Sequence, residues 1–129
     1  MRASLPTLMH ELVWGLPEQL AAALELKQTV QLKRSHSVGN VVVLGMGGSA
    51  IVGDLVRCLL QEESKTPVFV WRDYHIPRFV TKESLVIVVS YGGGTEETIS
   101  AYQEATPCRP AFVVVTSGGK LAEMAAANR

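Results

Sequence analysis

The chain has 129 residues, 47% of them apolar and 19% charged, with 12 basic and 12 acidic side chains. This composition excludes a disordered or fibrous chain, and zero net charge with no basic block excludes the electrostatic footprint of a nucleic-acid or anionic-membrane binder. The length suits one ordinary domain that buries roughly two thirds of its unfolded surface.

From Leu8 to about Lys33 apolar residues recur at helical spacing, through Leu12, Leu16, Leu20, Ala23, Leu24, Leu26 and Val30. Pro17 fits the first turn of the main helix, so two helical pieces are predicted to meet near Gly15. Ser35–Asn40 reads as a polar turn. The period then changes. Val41–Leu44 is a β-branched run that is apolar on both faces, as a central parallel strand requires. A helix over Ala50–Gln61 is predicted to turn Ile51, Leu55, Leu59 and Leu60 inward. Strands follow at Val68–Trp71, Leu85–Val89 and Ala111–Val115, with helices at Thr95–Ala105 and Lys120–Asn128. Strands alternating with helices predict an α/β fold, a right-handed, mostly parallel sheet covered on both faces. One connection, Arg72 to Phe79, is short and broken by Pro77, unlike an ordinary crossover helix.

Cys58 and Cys108 match no metal or redox spacing and read as reduced thiols. The first residues lack the unbroken apolar core of a signal peptide, and no apolar run approaches the ~20 residues of a membrane span. A cytoplasmic protein is expected, with no nucleic-acid or membrane partner.

Two glycine-rich turns carry the chemistry. Each follows an apolar strand and opens a helix: Gly45-Met46-Gly47-Gly48-Ser49-Ala50 after the first strand, and Ser90-Tyr91-Gly92-Gly93-Gly94-Thr95-Glu96-Glu97 after the third. Such turns bring backbone N–H groups, a helix N-terminus and hydroxyls to the carboxyl edge of the sheet, where an anion, most often phosphate, is held. Gly47, Gly48, Ser49, Ser90, Gly93 and Thr95 are the candidate binding residues. Ser49 also suits helix capping. Glu96 and Glu97 match the helix dipole, and Glu97 is alternatively a general base beside the ligand. Ser117 is a possible further contact, while Lys120 and His75 read more simply as solvated or packing residues. The same first loop fits a dinucleotide fingerprint, with Asp73 as the ribose-binding acid, so a small nucleotide-binding domain is the rival reading.

The motifs resemble the sugar isomerase (SIS) domain, and specifically the bifunctional phosphoglucose/phosphomannose isomerases. The resemblance runs through Pro17-Glu18-Gln19-Leu20, Gly45–Ile51, Gly53-Asp54-Leu55, Arg72-Asp73-Tyr74 with Pro77, Ser90-Tyr91, Thr95–Thr98 and Ser117–Ala122. It implies a three-layer αβα sandwich of flavodoxin-like topology. Residues 1–36 would form a helical segment packing on an SIS domain over 37–129, the first of two. A sugar 6-phosphate is implied as ligand, with its phosphate near Gly48, Ser49, Ser90 and Thr95, and no cofactor or metal. The catalytic base, ring-opening histidine and late lysine of the family belong to the second half. This chain is therefore expected to bind without turnover unless a second SIS domain or a homodimer partner completes it; a phosphosugar-sensing module is the alternative. The chain departs from the family pattern Ser-Tyr-Ser-Gly-Asn-Thr at Gly92 and Gly94. Loss of a hydroxyl at position 92 predicts weaker phosphate binding.

Overall fold

The computed structural model of the chain describes residues 5–25 and 37–128. Two compact units divide the chain, residues 1–33 and 34–129. In the first, α1 (Leu5–Trp14) and α2 (Leu16–Glu25) meet at Gly15. Its N–H donates to the Glu11 carbonyl at 2.9 Å, and its own carbonyl accepts from Gln19 N–H at 3.1 Å. Pro17 is the second residue of α2, where its missing N–H would have had no helical partner. The predicted continuation through Leu26 and Val30 to Lys33 lies outside the described residues.

The second unit runs β1 (Asn40–Leu44), α3 (Gly47–Leu60), β2 (Val68–Trp71), β3 (Ser84–Val89), α4 (Glu96–Ala105), a short 3-10 turn (Thr106–Cys108), β4 (Ala111–Val115) and α5 (Gly119–Ala127). All strand pairs are parallel, in the order β2-β1-β3-β4. The expected αβα fold class is the one observed. The chain winds leftward from β1 to β2, then returns past β1 to β3 and β4. Right-handed crossovers therefore put α3 on one face of the sheet and the 72–83 segment, α4 and α5 on the other.

Register fixes which side chains meet each layer. Val42, Val86 and Phe112 align across the sheet, as do Leu44, Val88 and Val114. With period-two alternation these six share one face. They form the main core with Val80, Ala101, Tyr102 and Leu121. The Tyr102 ring meets Phe112 edge-on at 4.9 Å, and its hydroxyl accepts from Asn128 Nδ2 at 2.8 Å. The irregular 72–83 connection takes a helix's place in this layer. Ile76 packs on the core, Phe79 lies 4.6 Å from Phe69, and the Ile76 N–H donates to Glu104 of α4 at 3.2 Å.

The opposite face is less covered. Leu85, Ile87, Val89 and Val113 are half-buried there and Val115 is exposed. On this side α3 departs from the sequence expectation. It begins at Gly47, three residues earlier than predicted, and its buried residues are Ala50 and Gly53. Ile51, Leu55 and Leu59, predicted inward, are 55%, 60% and 76% exposed, and Leu60 is also exposed. The physical reason is close approach: a Cβ on Gly53 would lie 2.8 Å from Val43 Cγ1 and 3.1 Å from Val70 Cγ2. The helix seats its small residues against β1 and β2, which turns the larger stripe away. Among the described residues no helix is long and apolar enough to cross a membrane. Cys58 and Cys108 are unpaired.

Candidate functional site

β1 lies between β2 and β3, so the chain reverses direction between β1 and β3. In open parallel sheets that switch point leaves a crevice at the carboxyl ends of the two strands. Leu44 is in register with Val88. The loops that follow, Gly45–Gly48 and Ser90–Thr95, consequently leave the same edge side by side, each leading into a helix.

Neither helix is capped by a side chain at its start. Met46 holds the N-cap of α3 in an extended conformation, and Thr95 holds that of α4. Ser49 is thus a first-turn residue and not the cap; its N–H donates to the Met46 carbonyl at 3.1 Å. Its side chain is half-buried and makes no hydrogen bond among the described residues. Gly47 and Gly48 are exposed, with no atom within 4 Å of an added Cβ at either. Uncapped first-turn N–H groups plus the helix dipole make each of these ends attractive to an anion.

In the second loop the Thr95 hydroxyl turns away from its own helix. It lies 3.0 Å from the hydroxyl of Ser90, which is only 3% exposed. Two hydroxyls in contact share one hydrogen and leave another for an acceptor such as a phosphate oxygen. Beneath them a second layer of contacts holds the loop. The Gly93 N–H donates to the Ser90 carbonyl at 3.2 Å, and the Gly93 carbonyl accepts from Leu121 N–H at 3.0 Å. Gly93 has φ +66°, and a Cβ there would overlap the Gly118 carbonyl. Gly93 thus shapes the loop, and its own N–H is occupied.

Ser117 belongs to the same brace. Its hydroxyl donates to the Tyr91 carbonyl at 2.5 Å and its N–H to the same oxygen at 2.9 Å. Thr116 Oγ1 donates to the Gly118 carbonyl at 2.9 Å. Lys120 is exposed in the first turn of α5. Gly92 and Gly94, by contrast, are exposed, and nothing lies within 4 Å of a Cβ built on either.

Glu96 and Glu97 open α4 beside this loop. Sequence reading did not single out Tyr74 as a site residue, but the structure brings it here. The Glu97 carboxylate, with smaller contributions from desolvation and Glu96, raises the Tyr74 phenol above its usual value of 10.0. Asp73 is exposed, and its Oδ1 accepts from His75 N–H at 3.3 Å, closing a turn. His75 lies at the other end of α4, with Nδ1 3.1 Å from Glu104. Arg72 pairs with Asp54 of α3, which links two of the motifs singled out in the sequence. Among the described residues no group of three or more His, Cys, Asp or Glu is arranged to hold a metal.

Comparison with known proteins identifies the family and the fold. The profile of the SIS domain matches residues 36–128. A bifunctional phosphoglucose/phosphomannose isomerase of Caldicellulosiruptor bescii is 43% identical over 118 residues, which is 91% of this chain and 35% of the relative. Its namesake in Thermoplasma acidophilum is 46% identical over 102 residues, 77% of this chain and 32% of the relative. The chain thus spans about a third of the length of these curated relatives. A solved structure from Salmonella typhimurium LT2, described as a phosphosugar isomerase, superposes with a TM-score of 0.62 at 25% identity, covering 68% of this chain and 28% of that one.

Proposed function

Since this chain belongs to the SIS domain family, we propose that it is the phosphosugar-holding unit of a protein of the phosphoglucose/phosphomannose isomerase type. The observation that carries this reading is the pairing of two uncapped helix starts at the β1/β3 switch point, with the Ser90–Thr95 hydroxyl pair between strand and helix. The ligand is a sugar 6-phosphate. Its phosphate accepts from first-turn N–H groups of α3 and α4 and from Ser49, Ser90 and Thr95. Each such bond to a charged group contributes ~1.5–3 kcal/mol, about ten- to a hundredfold in affinity.

Holding the phosphate does not by itself isomerise the sugar. Aldose–ketose exchange moves a proton between C1 and C2 and needs a positioned base, and ring opening needs an acid. The residues of this cradle are donors suited to the phosphate. Turnover therefore requires groups from a second SIS domain, supplied in the same polypeptide or by a second copy. The apolar side formed by Ile51, Leu55, Leu59 and the open face of β3 and β4 supports such a covering partner, because a surface of that kind is poorly suited to water.

The sheet order weighs against a dinucleotide-binding half. A dinucleotide-binding half has order 3-2-1-4, with its first helix at the pyrophosphate. Here β3 neighbours β1 directly, and Asp73 is engaged in its own turn. Calorimetric titration with fructose 6-phosphate, fructose and NAD in parallel tests the proposal. Binding of the phosphosugar alone, weakened tenfold or more by Thr95→Ala or Ser49→Ala, is the expected result. NAD binding that survives Thr95→Ala would reassign the first loop, and no phosphosugar binding at millimolar concentration would overturn the reading.

A further inference from the structure

Residues 116–121, which lead from β4 into the first turn of α5, hold the second glycine loop through its carbonyl oxygens. The Tyr91 carbonyl accepts from the Ser117 N–H at 2.9 Å and from the Ser117 hydroxyl at 2.5 Å, and Thr116 Oγ1 lies 3.4 Å from it. The Gly93 carbonyl accepts from the Leu121 N–H at 3.0 Å. The Gly92 carbonyl between them is turned the same way, since a Cβ on Gly119 would overlap it. Three successive carbonyls thus face the β4 side of the sheet.

A trans peptide points its C=O and its N–H in opposite directions. The Val89–Ser90 peptide, just before the loop, shows the rule. The Val89 carbonyl lies against Gly45 at the end of β1, while the Ser90 N–H donates to the Val115 carbonyl of β4 at 3.1 Å. In the Tyr91–Gly92 and Gly93–Gly94 peptides, also trans, the sense is reversed. Their carbonyls are taken by the 116–121 segment, so the Gly92 and Gly94 N–H groups face the β1 side, where the crevice lies. Neither N–H donates to a protein acceptor among the described residues, whereas the intervening Gly93 N–H is bound to Ser90. Backbone N–H groups turned together to one side of a loop make a concavity suited to an anion.

We infer that Ser117 is a positioning residue: its two hydrogen bonds to the Tyr91 carbonyl fix the Tyr91–Gly92 peptide so that the Gly92 N–H donates to the ligand's phosphate. Leu121 does the same for the Gly94 N–H through its backbone alone. The Ser117 hydroxyl has one hydrogen, already committed to Tyr91, so it aims a donor and offers the phosphate none itself. The inference rests on the phosphosugar reading above.

The test is a titration of wild type, Ser117→Ala and Ser117→Thr with inorganic phosphate and with fructose 6-phosphate, followed by amide NMR. Ser117 is exposed, so removing its hydroxyl leaves no cavity and the fold is retained. In wild type both ligands should move the Gly92 and Gly94 amide protons downfield. In Ser117→Ala both affinities should fall about two- to tenfold, the contribution of one ordinary hydrogen bond. The Gly92 shift at saturation should shrink, while that of Gly94, held by Leu121, stays. Ser117→Thr keeps the hydroxyl and should restore affinity and shift together. Three results overturn the inference while the phosphosugar reading stands: wild-type binding that leaves the Gly92 amide unmoved, a Ser117→Ala chain that binds and shifts like wild type, or one in which the Gly94 shift shrinks equally and threonine restores nothing. A wild-type chain that binds neither ligand overturns both.

Discussion

Restoring the family's hydroxyl at position 92 is the sharpest probe of the second loop. Gly92 has no atom within 4 Å of an added Cβ and its φ is not in the left-handed region. A serine there fits without moving the backbone. The contacts that hold the loop, from Gly93 to Ser90 and Leu121, do not involve a side chain at 92. Gly92→Ser thus adds a donor beside the Ser90–Thr95 pair at little structural cost. One further hydrogen bond to a phosphate contributes ~1.5–3 kcal/mol, so fructose 6-phosphate should bind about ten- to a hundredfold more tightly. The same change removes a glycine from the unfolded chain and should raise stability by about 0.4–1 kcal/mol. Calorimetric titration of both chains, with urea unfolding alongside, reads the two effects separately. A Gly92→Ser chain that is as stable as wild type but binds no more tightly would show that the phosphate does not sit over this loop.

Gly93→Ala should do the opposite. At φ +66°, with its Cβ driven into the Gly118 carbonyl, it should lose more than ~2 kcal/mol of stability by urea unfolding, since a left-handed alanine alone costs about 1–2 kcal/mol; near-neutrality would contradict the close packing of the two loops. Thr98 is buried in the first turn of α4, and its hydroxyl has no partner among the described residues. Thr98→Val should therefore stabilise the chain by about 1 kcal/mol, seen as a higher Tm, because the buried hydroxyl no longer goes unpaired; a lower Tm would mean that the hydroxyl is engaged. On the apolar side, Leu55→Lys with Leu59→Lys should reduce self-association in sedimentation velocity and leave fructose 6-phosphate affinity unchanged. A wild-type chain that remains monomeric at high concentration would refute self-association through the exposed stripe.

Much of the fold was legible because its strands are β-branched and apolar on both faces, and because each glycine loop marks a strand end. Val41–Leu44, Val68–Trp71, Leu85–Val89 and Ala111–Val115 all appear as strands, within one residue at their starts. The facing of α3 was not legible. A helical stripe such as Ile51, Leu55 and Leu59 announces that something apolar will meet it, but not what. The residues that set the helix against the sheet, Ala50 and Gly53, contribute almost nothing to a hydrophobic pattern because they are small. Likewise, the proximity of Ser117 to Tyr91 depends on two loops 26 residues apart meeting across β3 and β4. A local pattern carries no such information. Tyr74 did leave a trace, standing beside Arg72 and Asp73 at the end of β2, but no local pattern shows that carboxylates of α4, more than twenty residues on, raise its ionisation.

The three consecutive glycines illustrate how one motif divides its labour. In the sequence, Gly92-Gly93-Gly94 reads as one glycine-rich turn. In the structure only the middle residue is sterically compelled, since its Cβ would strike the neighbouring loop, while both flanking positions face open space. The rigid part of the loop is thus Gly93 with its partners Ser90, Tyr91, Ser117 and Leu121. The outward positions 92 and 94 can change without disturbing it. A chain that carries glycine at these two places keeps the architecture of the cradle and gives up side-chain donors. On the phosphosugar proposal, affinity for a phosphate would then rest on the helix starts, on Ser49 and on the Ser90–Thr95 pair. Weak but phosphate-dependent binding, rather than loss of the site, is what that arrangement predicts.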